Sequence, residues 1–203
     1  MSTKERRKGA CISKPLIVGT YAKETNNGSA TPYEWHCLLR SGVDPNEDMS
    51  YFIEKVEFIL HDSFENSKQI VSKPPFEVSE KGYGEFELVL KIYWKDKDEK
   101  PLTISHFVQL KPDGKNDNSS MKGVKYVVNE QYDEAIFQDP HETFVNVLLQ
   151  KGKKMKKHKY SELFGRLPDD TAVYTQLAEA HCFIQQQIVL LQEQFVSIDQ
   201  EYR

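Results

Sequence analysis

FELVLKIYW, residues 86–94, alternates large apolar side chains with side chains that suit a wetter surface. In a β-strand, successive side chains point to opposite faces, so this alternation gives one buried face and one more exposed face. The side chains predicted on the buried face are those of Phe86, Leu88, Leu90, Ile92 and Trp94. The stretch therefore predicts a strand in a sheet that is covered on one side.

Similar runs occur on both sides of this strand, within residues 15–20, 33–40, 51–60 and 102–110. Turn-forming residues separate them, and no helical period appears between them. A parallel sheet would need crossover helices between its strands. The pattern predicts an all-β fold, an antiparallel sandwich over residues 14–138, preceded by a basic tail at residues 1–13.

Residues 139–168 follow the sandwich, and their sequence predicts a short helix and a lysine-rich linker. Asp139 can cap a helix, and Pro140 suits its first turn. Six lysines then fall within residues 151–159. Such a run is compatible with a solvated linker, a nuclear-import address or a DNA-phosphate contact.

Residues 169–203 predict a C-terminal coiled-coil helix, about 50 Å long at 1.5 Å per residue. Apolar residues recur at heptad spacing, which is the pattern of a helix that packs on a partner. A helix folded back onto its own sandwich is the alternative. The seam comprises Tyr174, Leu177, His181, Ile184, Ile188, Leu191, Phe195 and Ile198.

Composition excludes several classes of protein. The 203 residues are 38% hydrophobic and 29% charged, with a net charge of −4, so nucleic acid is not expected as the main or a specific ligand. No apolar run of about 18 residues predicts a membrane span, and the N-terminus lacks a secretory signal. Cys11, Cys37 and Cys182 are widely spaced, which argues against a disulfide scaffold or a zinc finger.

The candidate ligand-binding residues lie in two loops, residues 60–64 and 82–86. Gly82 and Gly84 flank Tyr83, which allows a tight turn and leaves backbone N–H groups open to a ligand. Phe64 from the other loop can face Tyr83 across a slot, beside Ser63. Rings, a hydroxyl and amides suit a neutral planar amide such as an acylated lysine. The plainer alternative is that the rings are ordinary hydrophobic cover.

An enzyme is not expected, and neither is a metal or other cofactor. His61, Asp62 and Ser63 are consecutive and cannot form one catalytic relay, and no G-x-S-x-G elbow occurs. His36, His61 and His106 lack the close spacing of metal ligands.

From about Ser13 to Leu110 the chain resembles the YEATS domains. The stretches that carry the resemblance are residues 14–19, 46–56, 58–64, 73–78 and 82–86. It implies an immunoglobulin-like sandwich that binds acetyl-, crotonyl- or related acyl-lysine on histone tails. By the same resemblance, residues matching Phe64 and Tyr83 sandwich the acyl group, and Ser63 hydrogen-bonds the amide. Backbone N–H groups around Tyr83 and Gly84 hold the acyl oxygen, and His61, Gly82 and Phe86 complete the pocket.

Residues 132–140 with the terminal helix resemble one subfamily, shared by the SWR-type nucleosome remodeller and the NuA-type histone acetyltransferase complex. That resemblance implies a nuclear subunit that regulates transcription and docks on other subunits through its C-terminal helix. A competing hypothesis is a histone-chaperone-like or scaffold sandwich that binds histones by charge, through acidic residues 44–48.

The chain departs from this subfamily at two places. Tyr83 stands where the subfamily usually has tryptophan. Residues 31–34, Thr-Pro-Tyr-Glu, replace a His-Thr-His segment that usually precedes the tryptophan matching Trp35. The roles of those histidines are therefore not carried over to this chain.

Overall fold

The computed structural model describes residues 5–25, 31–112 and 119–165, together with positions 180, 183, 184 and 187. The chain divides into two compact units, Met1–Gly165 and Arg166–Arg203. In the second unit the four described positions are helical. Of the predicted heptad seam, Ile184 is described and is 57% exposed, and the other seven positions lie outside the described residues.

Nine strands and one short helix make up the described part of the first unit. A 3₁₀ turn, Met49–Tyr51, precedes the third strand. The strands are β1 (Cys11–Glu24), β2 (Tyr33–Ser41), β3 (Ile53–Ile59), β4 (Lys68–Val71), β5 (Phe76–Gly82), β6 (Phe86–Trp94), β7 (Leu102–Val108), β8 (Ser119–Met121) and β9 (Val124–Gln138), and the helix is α1 (Glu142–Leu148).

The strands form two antiparallel sheets, which confirms the predicted sandwich. One sheet has the order β5-β2-β1-β9-β8, and the other has the order β4-β3-β6-β7. The strand β1 begins at Cys11, earlier than the predicted boundary at residue 14. The reason is that Cys11 already pairs with Gln138 at the far end of β9.

The core between the sheets follows the predicted parity of β6. Leu88, Leu90 and Ile92 are fully buried, and Trp94 is 4% exposed. They belong to one cluster with Trp35 and other residues of the facing sheet. Burying each such aliphatic side chain contributes about 1.5–3 kcal/mol, so this interdigitated layer holds the two sheets together.

Strand β2 is buried on both faces, not on one as its alternation suggests. His36 and Arg40 on its outer face are 4% and 5% exposed. Residues 151–165 cover this face, with Tyr160 stacked on Tyr21 at a centroid distance of 5.5 Å. The segment expected as a linker therefore packs on the sheet, and its last residue, Gly165, donates its N–H to Glu130 at 2.7 Å.

Helix α1 begins two residues after the expected Asp139–Pro140 start, with His141 at the N-cap position. Asp139 has a positive φ of 48° and accepts a hydrogen bond from the N–H of Gly9 at 2.6 Å. Phe144, Val145 and Leu148 are buried, which fixes the helix against the sandwich. Among the described residues, no helix has both the length and the apolar character needed to cross a membrane.

Candidate functional site

Two loops at one end of the sandwich enclose a cleft of about 240 Å³. One loop joins β3 to β4, and the other joins β5 to β6. All seven residues predicted for the site line this one cleft, and Thr31, Lys81 and Glu85 line it as well. The predicted residues are His61, Ser63, Phe64, Gly82, Tyr83, Gly84 and Phe86.

Phe64 and Phe86 line the cleft and pack on Trp35, which lies beneath them. The ring centroids of Phe64 and Phe86 lie 5.2 Å apart, and Trp35 meets both rings edge-on, at 5.9 Å and 5.6 Å. Trp35 is fully buried, whereas Phe64 and Phe86 are half-buried. Each aromatic pair in such a geometry contributes about 0.5–1.5 kcal/mol beyond burial, so the Phe64 ring is held in place before any ligand arrives.

Tyr83, unlike Phe64, is largely exposed to solvent. It lies at the tip of the β5–β6 loop and is 70% exposed. A Cβ atom placed on the neighbouring Gly84 would meet nothing within 4 Å, so the backbone there faces open space. The cleft therefore joins a fixed ring, Phe64, with an exposed ring and uncovered backbone from the other loop.

His61 and Ser63 form a hydrogen-bonded pair on the cleft wall. The backbone N–H of Ser63 donates to His61 Nδ1 at 3.2 Å, which makes Nδ1 an acceptor. The Ser63 hydroxyl lies 3.0 Å from the same nitrogen and donates to it. The lone pairs of Ser63 Oγ are then available to accept a hydrogen bond from a ligand N–H.

Glu85 also lines the cleft, although it is not among the seven predicted residues. Its Oε1 accepts hydrogen bonds from the N–H groups of Leu110 and Lys111, both at 2.9 Å. These bonds tie the loop that carries Tyr83 to the end of β7. Both bonds use Oε1, one of the two oxygens of the carboxylate.

The three histidines considered as metal ligands occupy different surroundings. His36 lies 3.2 Å from Glu77 under the segment 151–165, whereas His61 is in the cleft. His106 is 3.3 Å from the Thr20 hydroxyl, and burial lowers its pKa. Among the described residues, the group with metal-ligand proximity is Asp96, Asp98 and His141. Its closest pair, His141 Nδ1 and Asp96 Oδ2, is hydrogen-bonded at 2.7 Å.

Sequence reasoning missed three lining residues, Thr31, Lys81 and Glu85, and it did not link Trp35, which lies beneath the lining, to the site. The alternation of β2 identified Trp35 as a core residue, and nothing in its own spacing linked it to the two loops. Tyr33 pairs with Gly82 across β2 and β5, and this register brings Trp35 beneath the β5–β6 loop. That relation depends on strand pairing, which no local sequence signal specifies.

Comparison with known proteins identifies relatives over the same region. A model of the YEATS family matches residues 30–112. The AF-9 homolog of Emericella nidulans is 35% identical over 165 residues, covering 73% of this chain and 59% of the relative. Subunit 14b of transcription initiation factor TFIID from Arabidopsis thaliana is 37% identical over 137 residues, which cover 66% of this chain and 50% of the relative. The AF-9 homolog of Saccharomyces cerevisiae is 33% identical and is covered over 71% of its length. The chain thus spans between half and three-fifths of the first two relatives.

Solved structures agree with the fold. The Yaf9 YEATS domain bound to H3K27ac is 34% identical, with a TM-score of 0.60, and is covered over 98% of its length. The same domain recognising an H3K122suc peptide gives a TM-score of 0.58 and 97% coverage. Both match 71% of this chain.

Proposed function

Since this chain belongs to the YEATS family, we propose that it is a chromatin reader that binds acylated lysine on histone tails. The observation that carries this proposal is that all seven predicted residues line a single cleft. One relative with the same fold, the Yaf9 YEATS domain, has been solved bound to H3K27ac and recognising an H3K122suc peptide. The cleft offers this chain the rings, hydroxyl and backbone amides that an acyl-lysine requires.

The cleft suits a neutral amide in three ways. Phe64 and Tyr83 supply aromatic faces for stacking on the flat acyl group. Ser63 Oγ accepts from the amide N–H, and the open backbone at Tyr83 and Gly84 donates to the acyl oxygen. Because acylation removes the positive charge of lysine, the ligand enters without the cost of desolvating an ammonium group. Unmodified lysine brings an ammonium group, which has no acyl oxygen to accept from these backbone donors and no flat amide face to stack on the rings.

We further propose that the protein acts without catalysis. The His61–Ser63 pair is the nearest approach to an activated nucleophile in the cleft. In a hydrolase the histidine uses its second nitrogen to bind an orienting carboxylate. Here Nδ1 accepts from both groups of Ser63, and the adjacent Asp62 is an exposed loop residue.

We also propose that the protein assembles with other subunits in the nucleus. We propose that the chain is a subunit of a remodelling or histone acetyltransferase complex, and the relative named as a subunit of transcription initiation factor TFIID supports a role in a multi-subunit assembly. The C-terminal helix, residues 169–203, is the proposed docking element. Charge-only histone binding through residues 44–48 is less favoured, because Asp44 pairs with Lys154 at 3.4 Å and Glu47 accepts from Ser41, Tyr51 and Gly152.

A titration with matched peptides tests the proposal. The full chain is titrated with the histone H3 peptide that the solved relative binds, carrying its target lysine in acetylated, crotonylated or unmodified form. We expect micromolar binding of the acylated peptides and at least tenfold weaker binding of the unmodified one. Tyr83→Ala should abolish the difference, whereas Phe107→Ala, which removes a 49% exposed ring outside the cleft, should keep it.

Equal affinity for the acylated and unmodified peptides would overturn the reader proposal. Retained discrimination in Tyr83→Ala would remove Tyr83 from the site. Mass spectrometry of the peptides after incubation checks for deacylation, and turnover would contradict the non-catalytic role.

A further inference from the structure

We propose that the lysine-rich segment, residues 151–157, is a fixed ridge that binds the phosphate backbone of duplex DNA. This function is separate from the acyl-lysine cleft and does not depend on it.

The segment is held along the protein by backbone hydrogen bonds. The N–H of Asp48 donates to the carbonyl of Lys153 at 2.8 Å, and the N–H of Met155 donates to the carbonyl of Asn46 at 2.7 Å. Glu47 and Lys154 form an antiparallel bridge between these bonds. The lysines therefore occupy set positions on a docked strand-like segment and do not belong to a free linker.

Its side chains divide between an inner and an outer surface. Met155 and His158, with the exposed Lys156 beside them, line a cavity against β2 and β5, and Tyr160 is 5% exposed. The six lysines of residues 151–159 are all exposed. The apolar and aromatic groups of the segment anchor it, and its charges face solvent.

Two of the six lysines are paired within the protein. Lys154 lies 3.4 Å from Asp44, and Lys159 lies 3.3 Å from Glu77. No carboxylate among the described residues forms an ion pair with the other four, Lys151, Lys153, Lys156 and Lys157. At roughly 3.3 Å per residue these four charges extend over about 20 Å.

Duplex DNA fits this surface better than a protein or a single strand. DNA carries one negative charge per about 1.7 Å of helix axis, so several phosphates lie within reach of the ridge. Protein interfaces are depleted of lysine and centre on apolar or aromatic residues, which this outer surface lacks. Single strands are bound through aromatic stacking, and Tyr160 is turned inward.

The ridge and the cleft lie toward different ends of β2. Tyr33, at the start of the strand, pairs with Gly82 in the cleft. The ridge is held by Asn46 and Asp48, beyond the end of the strand at Ser41. Eight residue steps along the strand correspond to about 26 Å. A histone tail in the cleft therefore leaves the ridge accessible to DNA.

The test measures binding of the full chain to a fluorescein-labelled duplex of about 20 base pairs by anisotropy, over a range of salt concentrations. Release of counterions by four lysines gives a slope of log K against log salt of about −3.6. The variant K151Q/K153Q/K156Q/K157Q should weaken binding at least tenfold at low salt and flatten the slope. The control K95Q/K97Q/K100Q/K125Q removes four exposed lysines elsewhere and should stay within twofold.

Three outcomes would overturn the proposal. These are no binding at low salt, an equal loss in the ridge and control variants, or displacement of the duplex by polyglutamate as readily as by unlabelled DNA. The last result would indicate an acidic protein as the partner. Affinity for the acylated peptide is measured on the same variants, so failure of the ridge and failure of the cleft are told apart.

Discussion

Gly82 lies directly over Trp35: a Cβ atom added to the glycine would stand 3.4 Å from the indole Nε1 and 3.7 Å from Cζ of Phe64. Both are ordinary van der Waals separations, so a single methyl group fits against the aromatic rings, and a larger side chain has to extend into the cleft that Gly82 lines. The absence of a side chain at this position keeps the cleft open between Phe64 and Tyr83.

A graded series at Gly82 tests this relationship. Gly82→Ala should weaken binding of the acylated peptide a few-fold, and Gly82→Val should weaken it at least tenfold, because the added methyl groups fill the cleft. Stability should fall by about 1–3 kcal/mol in the valine variant, as in other overpacked sites. Calorimetric titration and urea unfolding measure the two effects. Unchanged affinity in Gly82→Val would show that the acyl group lies elsewhere.

Glu85 is expected to act as a positioning residue for the cleft loop. Glu85→Ala removes the acceptor for the N–H groups of Leu110 and Lys111, which frees the loop that carries Tyr83. We expect peptide affinity to fall five- to tenfold, with a stability loss of about 1 kcal/mol because the site is exposed. Glu85→Gln retains an accepting oxygen and should recover most of the affinity. A merely electrostatic role would instead make the two variants equal.

Much of the fold could be predicted from local patterns. Alternation through β6 gave the correct buried parity because both sheets bury one face against the same core. For β2 the pattern failed, since His36 and Arg40 are buried by a segment more than 100 residues away. The residues of that segment that face inward, Met155, His158 and Tyr160, are spaced by three and two. That spacing matches neither a strand nor a helix, and the surrounding lysines resemble a linker.

The candidate site, like the fold, could be predicted from the sequence only in part. Glycines around Tyr83 and the position of Phe64 marked two loops, and the resemblance to a family paired them. The contact of Trp35 with Phe64 and Phe86 depends on the register between β2 and β5, which arises only on folding. Likewise, Glu85 finds its partners at residues 110–111, a separation too long for a local signal.

Glu77 is expected to make stability sensitive to acid. Burial acts to raise the pKa of this carboxyl, but His158, His36 and Lys159, at 3.1, 3.2 and 3.3 Å, outweigh it and hold the pKa well below its usual range. A depressed pKa gives stability that is present above the unfolded value of 4.5 and is lost as the pH falls toward the folded value.

The free energy of unfolding, measured by urea at a series of pH values, checks this expectation. The wild-type curve should fall steeply below about pH 5, and the Glu77→Gln curve should fall less steeply over the same range. Glu87→Gln, an exposed glutamate of β6, is the matched control and should follow the wild type. Parallel curves for wild type and Glu77→Gln would mean that Glu77 does not carry the acid sensitivity.

Tyr160 is expected to hold the segment 151–165 on the sheet. Its ring stacks on Tyr21 at 5.5 Å and lies 4.6 Å from His36, and little of it reaches solvent. Tyr160→Ala leaves a cavity above the sheet and should cost about 3 kcal/mol, by analogy with other buried aromatic truncations. It should also open residues 151–159 to trypsin, with the cleavage sites identified by mass spectrometry. Phe107→Ala removes a half-exposed ring and should cost no more than about 0.5 kcal/mol. If Tyr160→Ala leaves both stability and cleavage unchanged, the segment is held by its backbone bonds to Asn46 and Asp48, and the covered face of β2 has another source of stability.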